Sequence, residues 1–176
     1  MKITILNGSP RIGGNTEIMA KAFENGAVEA GHDVSLINLA GKNISGCLGC
    51  QYCFTHDGEC VQKDDMADIL TIIDHTDLLV FASPIYWFDI TSQLKAVIDR
   101  MYARAKIGFH FTKTALLIDS GADGVYSAAS AQYKAMCSYL NWESIGEVYI
   151  PDMTEKGSMN DSAFLLQVYS LGKSIC

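Results

Sequence analysis

The sequence predicts an α/β fold, an open, doubly wound sheet of five parallel strands with helices on both faces. Three observations carry that expectation. Strand-like and helix-like patterns alternate from one end of the chain to the other. The inner strand candidates Leu78-Leu79-Val80-Phe81-Ala82 and Ala115-Leu116-Leu117-Ile118 are unbroken apolar runs, as strands covered on both faces require. No repeat, low-complexity segment or interdomain linker interrupts the 176 residues, so residues 1–176 form one domain.

Taken in order, Lys2–Asn7 is the first strand, and it runs into a Gly/Pro turn. Asn15 to Ala30 follows as a helix carrying Ile18, Met19, Phe23 and Val28, with Gly31 as its stop. Asp33–Leu39 is the second strand. Met66, Ile69, Leu70 and Ile73 stand at i, i+3, i+4, i+7 on the next helix. Asp77–Ala82 is the third strand, and Leu94, Val97, Ile98 and Met101 repeat the helical spacing after it. Lys113–Asp119 and Glu143–Ile150 complete the strands. Ala129, Tyr133, Met136 and Leu140 mark the helix between them, and Phe164, Val168, Leu171 and Ile175 the last helix. Right-handed crossovers and five strands favour the flavodoxin-like order 2-1-3-4-5, with ligands beyond the carboxyl ends of strands one and three.

Composition narrows the function. Hydrophobic residues make up 49% of the chain and charged residues 19%, which suits a compact core. Thirteen Lys+Arg against twenty Asp+Glu leave a net charge of −7. That balance argues against nucleic acid or an anionic membrane as partner, because both need a basic footprint. The longest apolar run, Leu78 to Ala82, is far short of the roughly 20 residues of a membrane span. With no signal-peptide pattern at the N-terminus, a cytoplasmic protein is expected.

The loop after the first strand reads Asn7-Gly8-Ser9-Pro10-Arg11-Ile12-Gly13-Gly14-Asn15-Thr16. Glycines permit a tight turn with exposed amides, and the helix start adds unpaired N–H groups and partial positive charge. Ser9, Asn15 and Thr16 supply further donors and Arg11 a charge-assisted one. Capping alone would employ one of Asn15 and Thr16 and leave Ser9 and Arg11 without a role. A Walker loop is excluded because Gly14 stands where its Lys belongs. The dinucleotide pattern fails because Pro10 holds its second Gly position. A terminal monophosphate fits better.

Strand three ends in Ser83-Pro84-Ile85-Tyr86-Trp87-Phe88-Asp89, a platform on which a flat conjugated ring can lie. Charge-assisted bonds contribute about 1.5–3 kcal/mol each, and nanomolar binding needs roughly 12 kcal/mol after association costs. Buried ring area has to supply the remainder. The two loops together predict a ligand with a phosphate at one end and an aromatic system at the other.

Gly8-Ser9-Pro10-Arg11 with Gly14-Asn15-Thr16, then Ser83-Pro84-Ile85-Tyr86-Trp87, Gln93-Leu94-Lys95 and Asp99-Arg100, resembles the NADPH-dependent FMN reductase family through about Asp119. The resemblance implies a flavodoxin-like fold, bound FMN and hydride transfer from NAD(P)H to the flavin. It places Ser9, Arg11, Asn15 and Thr16 on the FMN phosphate, and Pro84, Ile85, Tyr86 and Trp87 along the isoalloxazine. Ser120 and Gly121, in the loop Ser120-Gly121-Ala122-Asp123-Gly124, would approach the ring from the other side, although a plain turn explains that stretch about as well. No catalytic acid or base is assigned. His32, His56, His75 and His110 read as surface or packing residues.

Of six cysteines, Cys137 reads as a small core residue and Cys176 as a loose end. The other four, Cys47-x2-Cys50-x2-Cys53-x6-Cys60, can wrap a cubic cluster or a tetrahedral ion. Their spacing resembles that of iron–sulfur flavoproteins, relatives that share the fold and FMN and carry a four-iron cluster. Zinc, thiol redox chemistry and a metal-free loop remain open alongside a 4Fe-4S cluster. Lys42 and Lys63 are the cations nearest these thiols in sequence. Arg100, Arg104, Lys106 and Lys113 read as a solvated face, with steering of an anionic dinucleotide as the alternative.

The leading expectation is an enzyme that passes hydride from NAD(P)H to FMN and on to a flavin, quinone or similar small acceptor. An iron–sulfur flavoprotein carrying single electrons is the alternative, and a non-catalytic flavin carrier or sensor the second. Exposed rings around Trp87 point to a homo-oligomer, dimer or tetramer, as a further expectation.

Overall fold

The computed structural model describes residues 1–176. Five strands, β1 (Lys2–Asn7), β2 (Asp33–Asn38), β3 (Leu78–Pro84), β4 (Lys113–Asp119) and β5 (Glu143–Ile150), form one parallel sheet in the order β2-β1-β3-β4-β5. The bounds of β1, β4 and β5 are those the sequence predicts. β3 runs two residues past the expected Ala82, because Ser83 and Pro84 continue the register against Ile118 and Asp119. Pro84 can close the strand because a final position does not need its missing N–H.

Helices α1 (Asn15–Glu29) and α6 (Phe164–Lys173) cover one face; α3 (Met66–Ile73), α4 (Ser92–Arg100) and α5 (Ser127–Leu140) cover the other. The apolar run of β3 divides between them with period two. Leu78, Val80 and Ala82 enter the core under α1 and α6, and Leu79 and Phe81 the core under α3 to α5. Cys137 is buried in the second core and Cys176 is exposed, as the sequence suggests. A one-turn helix α2 (Tyr52–Thr55) and a 3₁₀ turn at Ser158–Asp161 lie outside the predicted elements, and a 3₁₀ turn at Met101–Arg104 takes over from α4 at the expected helical residue Met101. No helix is long and apolar enough to cross a membrane.

Backbone contact between α1 and α6 depends on two glycines. A Cβ on Gly26 would stand 2.1 Å from the Tyr169 carbonyl oxygen, and one on Gly172 would stand 2.2 Å from that of Phe23. This packing seats α6 beside the helix that follows the first loop.

Candidate active site

The carboxyl ends of β1, β3 and β4 meet at a crevice of about 200 Å³. Its first wall is the loop after β1. The Gly8 N–H donates to the Ala82 carbonyl at 2.8 Å, and the Thr91 hydroxyl donates to the Gly8 carbonyl at 2.7 Å. A Cβ on Gly8 would lie 2.7 Å from the Cβ of Leu94, so only glycine fits there. The buried Ser9 is oriented by its N–H on Asn7 Oδ1 (3.1 Å), and its Oγ accepts from the Arg11 N–H (3.2 Å). Its hydroxyl proton has no acceptor within the chain. At the start of α1, the N–H groups of Asn15, Thr16 and Glu17 likewise make no hydrogen bond inside the chain. Beside them Arg11 is exposed, its Nη1 3.5 Å from the Thr154 carbonyl.

Nine predicted residues line this crevice: Ser9, Arg11, Asn15, Thr16, Pro84, Ile85, Tyr86, Ser120 and Gly121. Trp87 does not, and three of the predicted side-chain roles change. Tyr86 and Asp89 exchange backbone hydrogen bonds (2.8 and 3.3 Å) around a two-residue turn in which Trp87 and Phe88 both have positive φ, 49° and 70°. That turn throws Trp87 outward to 93% exposure, against the expectation that it borders the crevice. The Asn15 amide is spent elsewhere: Nδ2 donates to the carbonyls of Met153 (3.0 Å) and Glu155 (2.8 Å), and Oδ1 accepts from Gly157 and Met159. Thr16 gives its hydroxyl proton to Asp119 Oδ1 at 2.6 Å. These two residues therefore offer an anion their backbone N–H groups, not their side chains. The Ser120 hydroxyl is also engaged, by the Ala122 carbonyl and the Tyr126 hydroxyl.

Asp119, Met153 and Thr154 complete the lining and escaped the sequence reading. Met153 and Thr154 follow β5 and arrive through the bonds of Asn15, a pairing with no local signal. Asp119 ends β4 at the predicted switch point, and a carboxylate at the end of an otherwise apolar strand is the signal that could have revealed it. Burial pushes its carboxyl up to about 6, opposed by the Thr16 hydrogen bond and the Arg11 charge.

A second pocket lies at the C-terminal end of α4. Cys47, Cys50, Cys53 and Cys60 all line it, and Arg100 enters from the end of α4. The surrounding segment is tied to the residues around α4 by cations. Arg100 bonds the Ser45 carbonyl and Asp64, Arg104 bonds Asp74 and the Gly58 carbonyl, and Lys106 bonds the Phe54 carbonyl. Arg100, buried, and Arg104, half-buried, are therefore not the solvated face that the sequence suggests, whereas Lys106 is exposed. Lys63, near in sequence, pairs instead with Glu59. The Gly49 N–H donates to Cys47 Sγ at 3.4 Å. Burial, and then the proximity of Cys60, Cys47 and Cys50, raises the Cys53 thiol above its ordinary range.

No three His, Cys, Asp or Glu side chains converge on a point that could hold a single ion. The thiols instead ring a cavity of about 20 Å³, the space of one water. Four thiols are a donor set that suits a polynuclear cluster, and around them a Cβ on Gly46 or on Gly49 would touch nothing.

A 2-1-3-4-5 parallel sheet with an amide-lined loop after β1 defines a flavodoxin-like, mononucleotide-binding class of α/β domain. Within that class the chain belongs to the NADPH-dependent FMN reductase family, whose family model matches residues 1–154. It is 38% identical to an iron-sulfur flavoprotein of Archaeoglobus fulgidus over 101 residues, 57% of this chain and 46% of that one. It is 28% identical to an iron-sulfur flavoprotein of Methanosarcina thermophila over 100% of this chain and 94% of the relative. Among solved structures, an NAD(P)H:quinone oxidoreductase from Methanothermobacter marburgensis superposes with a TM-score of 0.78 at 21% identity, over 98% of this chain and 94% of that one. The chain spans about half the length of several curated relatives it matches, from 46% to 55%.

Proposed function

We propose that this protein binds FMN in the crevice at β1, β3 and β4 and passes electrons from NAD(P)H to a flavin, quinone or similar small acceptor. The observation that carries this reading is a set of uncommitted donors on one wall. The amides of Asn15, Thr16 and Glu17 and the Ser9 hydroxyl stand there with nothing in the chain to receive them, and the exposed Arg11 guanidinium makes one long bond, 3.5 Å to the Thr154 carbonyl, beside the apolar edge Pro84-Ile85-Tyr86. Such a set suits a phosphate dianion. Arg11 supplies charge, Ser9 a directed proton, and Asn15 and Thr16 hold the surrounding loops in place. When bound, FMN supplies the hydride-accepting chemistry. The chain contributes position and exclusion of water, with no side chain required as acid or base. The outward-turned Trp87 and Phe88 mark where we place contact with a second copy of the chain.

A second reading is favoured by the four thiols that share one pocket with a buried cation: the cysteines hold a four-iron cluster, and the chain carries single electrons between it and FMN. The names of the archaeal relatives agree with this reading.

Anaerobically purified protein tests both. The flavin absorbance is expected to bleach on mixing with NADH or NADPH, and iron and acid-labile sulfide to be present. A flavin that neither nucleotide bleaches leaves a carrier or sensor, and iron-free protein removes the second reading. Arg11→Ala is expected to weaken FMN about tenfold to a hundredfold, and Ser9→Asp at least as much, with riboflavin binding spared. Unchanged FMN affinity in both variants removes the phosphate assignment.

A further inference from the structure

Arg100 ends α4 at 1% exposure, with its guanidinium turned toward the cysteine segment. Two of its nitrogens are hydrogen-bonded. Nη1 donates to the Ser45 carbonyl at 2.9 Å and to Asp64 Oδ2 at 2.7 Å, and Nη2 donates to Asp64 Oδ1 at 2.9 Å. Asp64 is itself fixed by the N–H groups of Ser45 (3.0 Å) and Met66 (3.2 Å). This end-on grip sets the guanidinium plane and leaves Nε to one side. Nε is the chain's one fully buried side-chain nitrogen or oxygen with no hydrogen-bond partner.

Buried donors in folded proteins find acceptors, and an orphan points to a ligand or to a chemical state of its neighbour. Arg100 shares its pocket with the four cysteines. Burial works against its charge, which Asp64 and Cys60 restore. A neutral thiol is a weak acceptor, whereas a thiolate, free or bound to metal, is a strong one. Ordinary cysteine–metal loops rely on backbone N–H groups such as Gly49 on Cys47; here a fixed cation is added.

We propose that Arg100 is the hydrogen-bond donor and counter-charge of the thiol pocket, its Nε–H directed to the sulfur of Cys60, and that it raises the reduction potential of the group held there. The inference rests on the cluster reading above. A donor on a ligating sulfur stabilises the more negative, reduced form, so the potential rises. One electron enters on reduction, and no bond to Arg100 or Cys60 breaks. Arg100 is a positioning residue, because it acts through the sulfur.

The full chain, reconstituted anaerobically with iron and sulfide, is titrated with dithionite and mediators as wild type, Arg100→Lys and Asp64→Asn. The cluster is followed by electron paramagnetic resonance, with FMN content and circular dichroism as controls of the fold. Arg100→Lys keeps a cation for Asp64 but loses the separate Nε–H that the guanidinium plane holds toward Cys60. Its potential is expected to fall by a tenfold change in the oxidised-to-reduced ratio, about 59 mV for one electron. Asp64→Asn keeps Nε and removes a negative charge, so its potential is expected to rise. A merely structural disturbance moves both in one direction. Arg100→Lys at the wild-type potential, or both variants shifted together, overturns the inference while leaving the cluster in place. Wild-type protein that takes up no iron or sulfide overturns the cluster reading and this inference with it. Where Arg100→Lys retains no cluster, Asp64→Asn decides: a raised potential supports the assignment, and an unchanged or lowered one overturns it.

Discussion

The Thr16 hydroxyl donates to Asp119 Oδ1 at 2.6 Å, joining the first turn of α1 to the end of β4 at the floor of the crevice. Asp119 is 3% exposed, and burial lifts its carboxyl from 3.8 to about 6. The folded chain therefore holds a proton that the unfolded chain releases between those values. The contribution of this group to stability is full below about 3.8 and is lost as pH rises through about 6. A shift of this size corresponds to about 3 kcal/mol. Asp119→Asn keeps an acceptor for Thr16 without the charge. In flavin-free protein it is expected to add about 1–3 kcal/mol at pH 7.5 and to flatten the stability profile between pH 4 and 6. Urea melts across that range check both; a variant no more stable than wild type at pH 7.5 contradicts the argument.

Asn15 invites a different measurement. One side chain satisfies the carbonyls of Met153 and Glu155 and the N–H groups of Gly157 and Met159. Asn15→Ala strips four backbone groups of their partner at once, with an expected loss of about 2–4 kcal/mol. Hydrogen exchange separates this role from phosphate binding. Protection is expected to collapse across 153–159 while the centre of α1 stays protected. FMN affinity falls too, because Met153 and Thr154 line the crevice.

What the sequence made legible was local. The run Leu78–Ala82 identifies a strand covered on both faces because no exposed strand is apolar at five successive positions. Ser9 and Arg11 are placed by the turn that follows β1, within a few residues of their reference points. The missing parts all depend on partners distant in the chain. Arg100 looks like an ordinary end-of-helix cation until Asp64, 36 residues earlier, is seen beneath it. Lys63 is close to the thiols in sequence but is held by Glu59. Trp87 points away from the crevice because of a turn conformation that Trp-Phe does not announce, since Asn and Gly are the usual residues of such turns.

That turn gives a prediction of opposite sign from most. Trp87 and Phe88 hold positive φ without being glycine, at about 1–2 kcal/mol per residue. Their edge-on contact, with centroids 5.9 Å apart, returns about 0.5–1.5 kcal/mol of this. Trp87→Asn with Phe88→Gly installs the preferred residues of a type I′ turn. The double variant is expected to gain about 1 kcal/mol, or roughly 2–4 °C in Tm, while NAD(P)H-dependent turnover falls. A loss of stability would mean that the two rings pack against more than solvent.

Helix propensity and packing disagree at Gly172, which makes it a sharp test. Propensity alone favours Ala over Gly in a helix by about 1 kcal/mol. The close approach of α1 opposes it: a Cβ there would stand 2.2 Å from the Phe23 carbonyl oxygen and 3.1 Å from the Ala27 nitrogen, both backbone atoms that cannot rotate away. The helices must separate, and interiors do not yield cheaply. Gly172→Ala is expected to lose about 3 kcal/mol or more, lowering Tm by roughly 6–12 °C. Gly26→Ala meets Tyr169 and Lys173 in the same way. Once one substitution has parted α1 from α6, the second finds the space already open, so the double variant is expected to lose less than the sum of the singles. Strict additivity in urea melts would mean that the two glycines do not share one contact.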